Sequence, residues 1–135
     1  MILHASSVAW QGRGVLILGP SGSGKSTLAL ALMAFGATLI ADDRTEVRRE
    51  GDTLHADAPA ALAGLIEARG VGLLRADYAP AAVGLAVDLG RAETQRLPHM
   101  GHTSVLGIQL PLVPGAGRDH LAGSILQYLK CGRYR

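Results

Sequence analysis

The feature that most constrains this chain is a glycine-rich segment between an apolar run and a run rich in Ala and Leu. Residues 19–26 read GPSGSGKS, which matches the phosphate-loop pattern G-x-x-x-x-G-K-[ST]. Glycines there let backbone N–H groups turn toward phosphate oxygens, where a Cβ would obstruct them. A helix that follows adds the positive end of its dipole. The segment therefore predicts a nucleoside triphosphate site at a strand-to-helix turn.

The flanking sequence supports this interpretation over a chance glycine-rich turn. Val15 to Leu18 is an apolar run of strand length, and Lys25 to Phe35 has strong helix propensity, with Gly36 as the expected C-cap. Within the loop, Lys25 should reach the β and γ oxygens of ATP, and Ser26 should hold the Mg²⁺ that bridges them. The predicted nucleotide-binding residues are Gly19, Pro20, Ser21, Gly22, Ser23, Gly24, Lys25, Ser26 and Thr27.

Composition and charge narrow the class of protein. The 135 residues suit one domain, 1–135, and the 48% hydrophobic fraction can fill a core. The net charge is only +2 and the basic residues are scattered, which disfavours a nucleic-acid partner. A single cysteine, Cys131, excludes an internal disulfide and suggests a reducing compartment, so we expect a cytoplasmic protein. We expect neither a signal peptide nor a membrane span.

The order of elements predicts an α/β domain with mixed sheets and flanking helices rather than a regular doubly wound fold. After the phosphate loop and its helix comes a strand that ends at Ala41, and the next half of the chain is rich in strands. The remaining expected elements are a hairpin over Glu46 to His55, a short helix or connector over Pro59 to Ile66, strands at Gly70 to Leu74 and Val83 to Leu89, an edge strand or pair of strands over Thr103 to Val113, and a helix over His120 to Leu129.

Charged side chains that follow the second predicted strand are the candidates for chemistry. Asp42 and Asp43 come directly after TLIA, at the strand end where parallel α/β sheets bind ligands. One carboxylate could hold Mg²⁺ and the other accept a proton, whereas the alternative is an N-cap or a turn pair. Judged from the residues alone, His4 is more typical of a structural histidine, and Glu67 with Arg69 of an ordinary exposed pair. The other histidines lack the spacing of zinc ligands.

Longer segments resemble a known family. Residues 3–47, LHASSVAWQGRGVLILGPSGSGKSTLALALMAFGATLIADDRTEV, resemble the start of the catalytic domain of HPr kinase/phosphorylase. The stretch IEARGVGLL at 66–74 is similar to that family's Glu-x-Arg-Gly-x-Gly signature. The stretch LPLVPGAGRDHLAGSIL at 110–126 is similar to its late Pro-Gly-Arg turn and the helix that follows.

The resemblance implies a fold and an activity. The fold is a P-loop domain related to phosphoenolpyruvate carboxykinase, and the activity is phosphorylation of a serine on the phosphocarrier HPr with ATP and Mg²⁺, often with the reverse phosphorylase reaction. By the same resemblance Asp42 is the catalytic base, Asp43 and His4 are its active-site neighbours, and Glu67 is a carboxylate near the metal. Arg96 matches an arginine of a later active-site loop, and the family's assembly is a hexamer.

Three departures from the family pattern bear on function. The family's usual N-terminal domain is not in this chain, which resembles the short form of some Gram-negative bacteria. Thr27 stands where the family commonly has Glu after GKS, and the segment after the signature is shorter. Two other functions therefore stay open: a regulatory module whose nucleotide state controls a partner, and a small-molecule P-loop kinase or NTPase.

Overall fold

The computed structural model describes residues 1–134, which form a large sheet with two α-helices. The first helix, α1, spans Lys25–Ala34, and the second, α2, spans Leu121–Cys131; a short 3-10 turn covers Ala60–Leu62. The strands are β1 (Ile2–Leu3), β2 (Ser6–Trp10), β3 (Arg13–Leu18), β4 (Thr38–Ala41), β5 (Thr45–Glu50), β6 (Thr53–Asp57), β7 (Leu65–Ala68), β8 (Gly72–Arg75), β9 (Ala81–Asp88), β10 (Gly101–Val105) and β11 (Ile108–Pro114).

The large sheet is mixed and branched. Its main path runs β1-β5-β6-β9-β3-β2-β4, and the β10–β11 hairpin joins it beside β9. Strand β9 is parallel to β3 and β11, whereas the other pairings are antiparallel. Strands β7 and β8 form a separate two-stranded sheet. This arrangement confirms the predicted α/β fold with mixed sheets and flanking helices.

Alternating side chains divide the core between the two faces of the sheet. On β3, Val15 and Ile17 pack with both helices, including Leu32 of α1 and Ile125 of α2. Leu16 points to the other face, where it joins a second cluster with residues of the two hairpins. The period of two along a strand produces this division. The helices therefore cover one face, and the curled hairpins cover the other.

Several predicted elements differ in detail. The segment from Met1 to Ala9 is predicted as one short strand, but His4 and Ala5 separate β1 from β2. The predicted connector after Pro59 contains the 3-10 turn and then β7, which the sequence did not suggest. The segment around Pro111 is a hairpin, one of the two predicted forms. Pro111 lacks an N–H, and β11 begins to pair with β9 only at the next residue, Leu112.

The strand order brings the phosphate loop and the pair Asp42 and Asp43 to the same edge of the large sheet. Strand β2 is antiparallel to both β3 and β4, so β3 and β4 run in the same direction. Their carboxyl ends therefore meet at the same edge, where β3 leads into the phosphate loop and β4 leads into Asp42 and Asp43. Within residues 1–134, no helix combines the length and the apolar character needed to cross a membrane.

Candidate functional site

The phosphate loop presents backbone donors at the start of α1. Gly24 is the N-cap, with a left-handed φ of 96°, and Gly22 has a φ of 82°. The amide of Leu28 donates to the carbonyl of Gly24 at 2.9 Å and so closes the first turn. The N–H groups of the three preceding helical residues have no partner within the helix. Glycines thus give the loop a curvature that leaves several N–H groups free for an anion.

The side chain of Lys25 already lies over this loop. The residue is only 7% exposed, and its Nζ donates to the carbonyls of Gly19 at 2.7 Å and Pro20 at 3.1 Å. A Cβ on Gly19, whose φ is 148°, would lie 2.5 Å from the Oγ of Ser23. That Oγ is buried, and it lacks a hydrogen-bond partner among residues 1–134. The loop therefore holds a cation and an unsatisfied hydroxyl close together.

Asp42 is the buried member of the acidic pair. It is 7% exposed, and its Oδ1 accepts hydrogen bonds from the hydroxyls of Ser26 at 2.6 Å and Ser6 at 2.7 Å. Its Oδ2 accepts a third bond, from the backbone N–H of Glu67 at 3.0 Å. Asp42 thus connects Ser26 of the phosphate loop with Ser6 of β2 and Glu67 of β7. Each of its two oxygens accepts at least one hydrogen bond.

Asp43 lies in a different environment. Its backbone is left-handed, with a φ of 67°, and its side chain is 60% exposed. Its Oδ1 lies 2.8 Å from the Nε2 of His4. The break between β1 and β2 places His4 at this edge of the sheet. His4 and Asp43 therefore form a solvent-accessible pair beside the buried Asp42.

A cavity of about 300 Å³ joins these parts. Side chains of both charges line the cavity: the basic ones are Lys25 and Arg69, and the acidic ones are Asp43 and Glu67. Its complete lining is Ser21, Gly22, Gly24, Lys25, Ser26, Thr27, Asp43, Glu67 and Arg69. Of the predicted site residues, Gly19, Pro20 and Ser23 belong to the loop but do not line the cavity. Asp42 and His4 contact the lining residues Ser26 and Asp43 without lining the cavity themselves. Arg96 is exposed and lies outside the lining.

Sequence reasoning missed two residues of this site. Arg69 seemed to be part of an ordinary exposed pair, yet it lines the cavity with Glu67. The signal was available, because Arg69 is the arginine of the Glu-x-Arg-Gly-x-Gly segment that begins at Glu67. Ser6 contacts Asp42 but lies 36 residues away in sequence. Only the pairing of β2 with β4 brings it there, so no local pattern could have indicated it.

Comparison with known proteins places this site in a family. The family model for the HPr Serine kinase C-terminal domain matches residues 1–80, which include every residue from His4 to Arg69 discussed above. The chain belongs to this family. The solved structure of the Hpr(Ser) kinase/phosphatase from Coxiella burnetii is similar to this chain, with a TM-score of 0.79 and 27% identity over 96% of this chain and 93% of that chain.

Curated relatives match the first half of this chain. The HPr kinase/phosphorylase of Caldanaerobacter subterraneus subsp. tengcongensis is 47% identical over 73 residues, which are 53% of this chain and 24% of the relative. That of Limosilactobacillus reuteri is 51% identical over 73 residues, or 53% of this chain and 23% of the relative. The chain therefore spans less than a quarter of the length of these relatives.

Proposed function

We propose that this HPr kinase domain transfers the γ-phosphoryl group of ATP to a serine hydroxyl of an HPr-like phosphocarrier protein. One observation carries the proposal: the carboxylate of Asp43, held by His4 at 2.8 Å, faces the same cavity as Lys25 and Ser26. A proton acceptor and a phosphate cradle that share a cavity are what phosphoryl transfer to a hydroxyl requires. The curated relatives are named HPr kinase/phosphorylase, which supports the same substrate.

The residues present suit ATP and Mg²⁺. The free N–H groups at the start of α1 and the ammonium of Lys25 match the charge of a triphosphate. Mg²⁺ prefers oxygen ligands and usually takes one or two carboxylates, with water and phosphate oxygens completing its shell. Oxygens of this kind come from the hydroxyl of Ser26 and from the carboxylates of Asp42 and Glu67. Mg²⁺ bound there would neutralise charge on the β and γ phosphates.

The geometry favours Asp43 over Asp42 as the proton acceptor. The resemblance assigned the base to Asp42, but both oxygens of Asp42 accept hydrogen bonds inside the protein. Asp43 is exposed to the cavity, so we exchange the two roles: Asp42 orients Ser26, and Asp43 is the base. In the proposed step the Asp43 carboxylate takes the serine proton. The serine oxygen bonds to the γ phosphorus, the bond from that phosphorus to the β–γ bridging oxygen breaks, and ADP leaves.

The proposed partners follow from the same resemblance. The partner is a small HPr-like phosphocarrier protein, not a nucleic acid or a membrane, and the working assembly is a hexamer. A cytoplasmic location agrees with a lone exposed cysteine, Cys131, and with a reaction that consumes ATP.

The decisive experiment offers labelled ATP and Mg²⁺ to the protein together with a panel of small phosphocarrier proteins. Label on a partner serine is the expected result, and the partner with that serine changed to alanine is the control. Nucleotide-dependent binding of a partner without label would support a regulatory module instead. Label on a small metabolite but not on any protein would support a small-molecule kinase. Either of the last two results would overturn the proposal.

A further inference from the structure

A single buried hydroxyl contacts both aspartates of the site. Ser6 is the first residue of β2, and it is completely buried. Its Oγ donates to the Oδ1 of Asp42 at 2.7 Å and accepts a hydrogen bond from the backbone N–H of Asp43 at 3.2 Å. Ser6 therefore lies between the carboxylate that orients the phosphate loop and the backbone of the residue that faces the cavity.

The backbone that Ser6 holds is strained. Asp43 has a φ of 67°, and the N–H of Arg44 donates to the carbonyl of Asp42 at 2.7 Å. A hydrogen bond across one central residue with positive φ is the geometry of a γ-turn, which is rare in proteins. Strained conformations of non-glycine residues persist only where surrounding contacts hold them. The hydrogen bond from the Asp43 N–H to Ser6 is such a contact.

We propose that Ser6 is a positioning residue that fixes both aspartates for the reaction. A hydroxyl suits this place because it donates one hydrogen bond and accepts another at the same time. Without it, Asp42 would keep its bonds to Ser26 and to the Glu67 amide, but the partly buried N–H of Asp43 would lose its acceptor. The turn would relax, and the Asp43 carboxylate would move away from its place in the cavity. The kinetic part of the proposal rests on the proposed function.

The next residue provides a matched control. Ser7 is also completely buried on β2, and its Oγ lies 2.9 Å from the Oγ1 of Thr45. Thr45 in turn donates to the carbonyl of Ala5 at 3.0 Å. Neither of these bonds involves an aspartate. Changing Ser7 to alanine therefore removes a buried hydroxyl from the same strand without touching the site.

The test compares Ser6→Val with Ser6→Thr, because these side chains share a shape and differ in the hydroxyl. Any cost of the added branch affects both variants, so their difference reports the hydroxyl alone. We expect Ser6→Val to lower the kcat for transfer to the phosphocarrier about 10- to 100-fold, since small displacements of reacting groups have effects of this size. The KM for ATP should change little. Ser6→Thr should restore most of the kcat, and Ser7→Ala should leave it unchanged.

A second measurement does not depend on activity. In the nucleotide-free protein, amide hydrogen exchange followed by NMR should show faster exchange of the Asp43 N–H in Ser6→Val than in Ser6→Thr or the wild type. Thermal unfolding checks that each variant is folded, and Ser6→Ala replaces Ser6→Val if the latter does not fold.

Two results would overturn the positioning role. One is a kcat in Ser6→Val equal to that of Ser6→Thr, and the other is equal protection of the Asp43 amide in both. If the wild-type protein transferred no phosphoryl group to any phosphocarrier, the proposed function would fail. The exchange rate of the Asp43 amide would still decide whether the Ser6 hydroxyl holds the turn.

Discussion

At the scale of single residues, Asp42 and Asp43 show how adjacent carboxylates acquire different roles. Asp42 is 7% exposed, and donors within the protein already form hydrogen bonds to both of its carboxylate oxygens. Asp43 has a side chain that is 60% exposed, and it is paired with His4. Their difference comes from the left-handed turn at Asp43, which sends the second side chain toward the cavity.

Asparagine substitutions should distinguish the proposed roles of the two aspartates. Asp43→Asn keeps the shape but cannot take a proton, so we expect phosphoryl transfer to fall about 100- to 10,000-fold with ATP binding retained. Asp42→Asn places an amide NH₂ opposite a hydrogen-bond donor, so we expect weaker Mg²⁺-dependent ATP binding and a loss of about 1–3 kcal/mol in the free energy of unfolding. Kinetics, calorimetry and urea denaturation measure these effects. Normal transfer in Asp43→Asn would return the base to Asp42.

We expect Lys25 to offer its positive charge to a bound triphosphate. Lys25→Ala removes a buried ammonium next to the loop carbonyls, so we expect tight ATP binding to be lost. Calorimetry with ATP and Mg²⁺ measures the affinity. Lys130→Ala is the control, because Lys130 lies over the ring of Trp10 and does not line the cavity. Equal affinities for the two variants would contradict a phosphate-binding role for Lys25.

Thr27 bears on the direction of the reaction. It lines the cavity next to Ser26, where the family commonly has Glu, so the site has one fewer negative charge near the metal. Forward transfer uses MgATP, which brings its own metal, whereas phosphorolysis depends more on exact placement of metal and acid. We therefore expect a working kinase with weak phosphorylase activity, and Thr27→Glu should raise the phosphorylase rate.

The measurement for Thr27 incubates phosphorylated partner with protein, Mg²⁺ and excess phosphate, and follows pyrophosphate release. Thr27→Gln is the control, since it has the length of Glu without the charge. Dephosphorylation by the wild type at a rate comparable to the kinase reaction would show that the missing carboxylate has no such effect.

At the scale of elements, the close pairing of β3 and β9 supports the phosphate loop. The two strands are parallel, and their register shifts between Gly14 and Val15. A Cβ on Gly14 would lie 2.6 Å from the carbonyl oxygen of Ala82, which is backbone and cannot rotate away. Glycine at this position therefore lets β3 approach β9 closely enough to complete the core beneath the loop.

Alanine substitutions in these two strands should have different effects. Gly14→Ala forces the backbones apart, so we expect a loss of about 1–3 kcal/mol in the free energy of unfolding. Gly84→Ala is the control, because Gly84 is exposed on β9 and nothing lies within 4 Å of its Cβ position. Its expected effect is within about 0.5 kcal/mol. Chemical denaturation compares the two, and equal stabilities would show that the pairing tolerates a Cβ.

At the scale of the whole molecule, the single chain leaves large apolar side chains in solvent. Val71 is 75% exposed and Leu73 is 66% exposed, and both lie on or beside the β7–β8 hairpin that contributes to the site. Such side chains, when they lie together, are typical of surfaces that contact another protein. The assembly that the family resemblance implies remains a prediction, and these side chains are where we expect its contacts.

The predicted assembly can be measured directly. Sedimentation equilibrium of the purified protein should give six times the chain mass of 14.0 kDa. A dilution series and a series in salt separate specific assembly from nonspecific association. A mass equal to one chain at all concentrations would contradict the predicted hexamer.

The sequence by itself determined the features that depend on neighbouring residues. Spacing and glycine content predicted the phosphate loop, and propensity predicted α1 after it. The turn at Gly51 predicted the β5–β6 hairpin. The order of elements was enough to predict an α/β domain with mixed sheets. These features are local because turns and helices involve contacts only a few residues apart.

The tertiary structure decided which distant residues meet. The antiparallel pairing of β2 with β4 brings Ser6 to Asp42 across 36 residues, and β7 brings the Glu67 amide to the same carboxylate across 25. These contacts, together with the turn at Asp43, distinguish the buried aspartate from the exposed one. No local pattern specifies these contacts, because strand pairing depends on how the whole sheet buries its two faces. The residues between two paired strands do not determine that pairing.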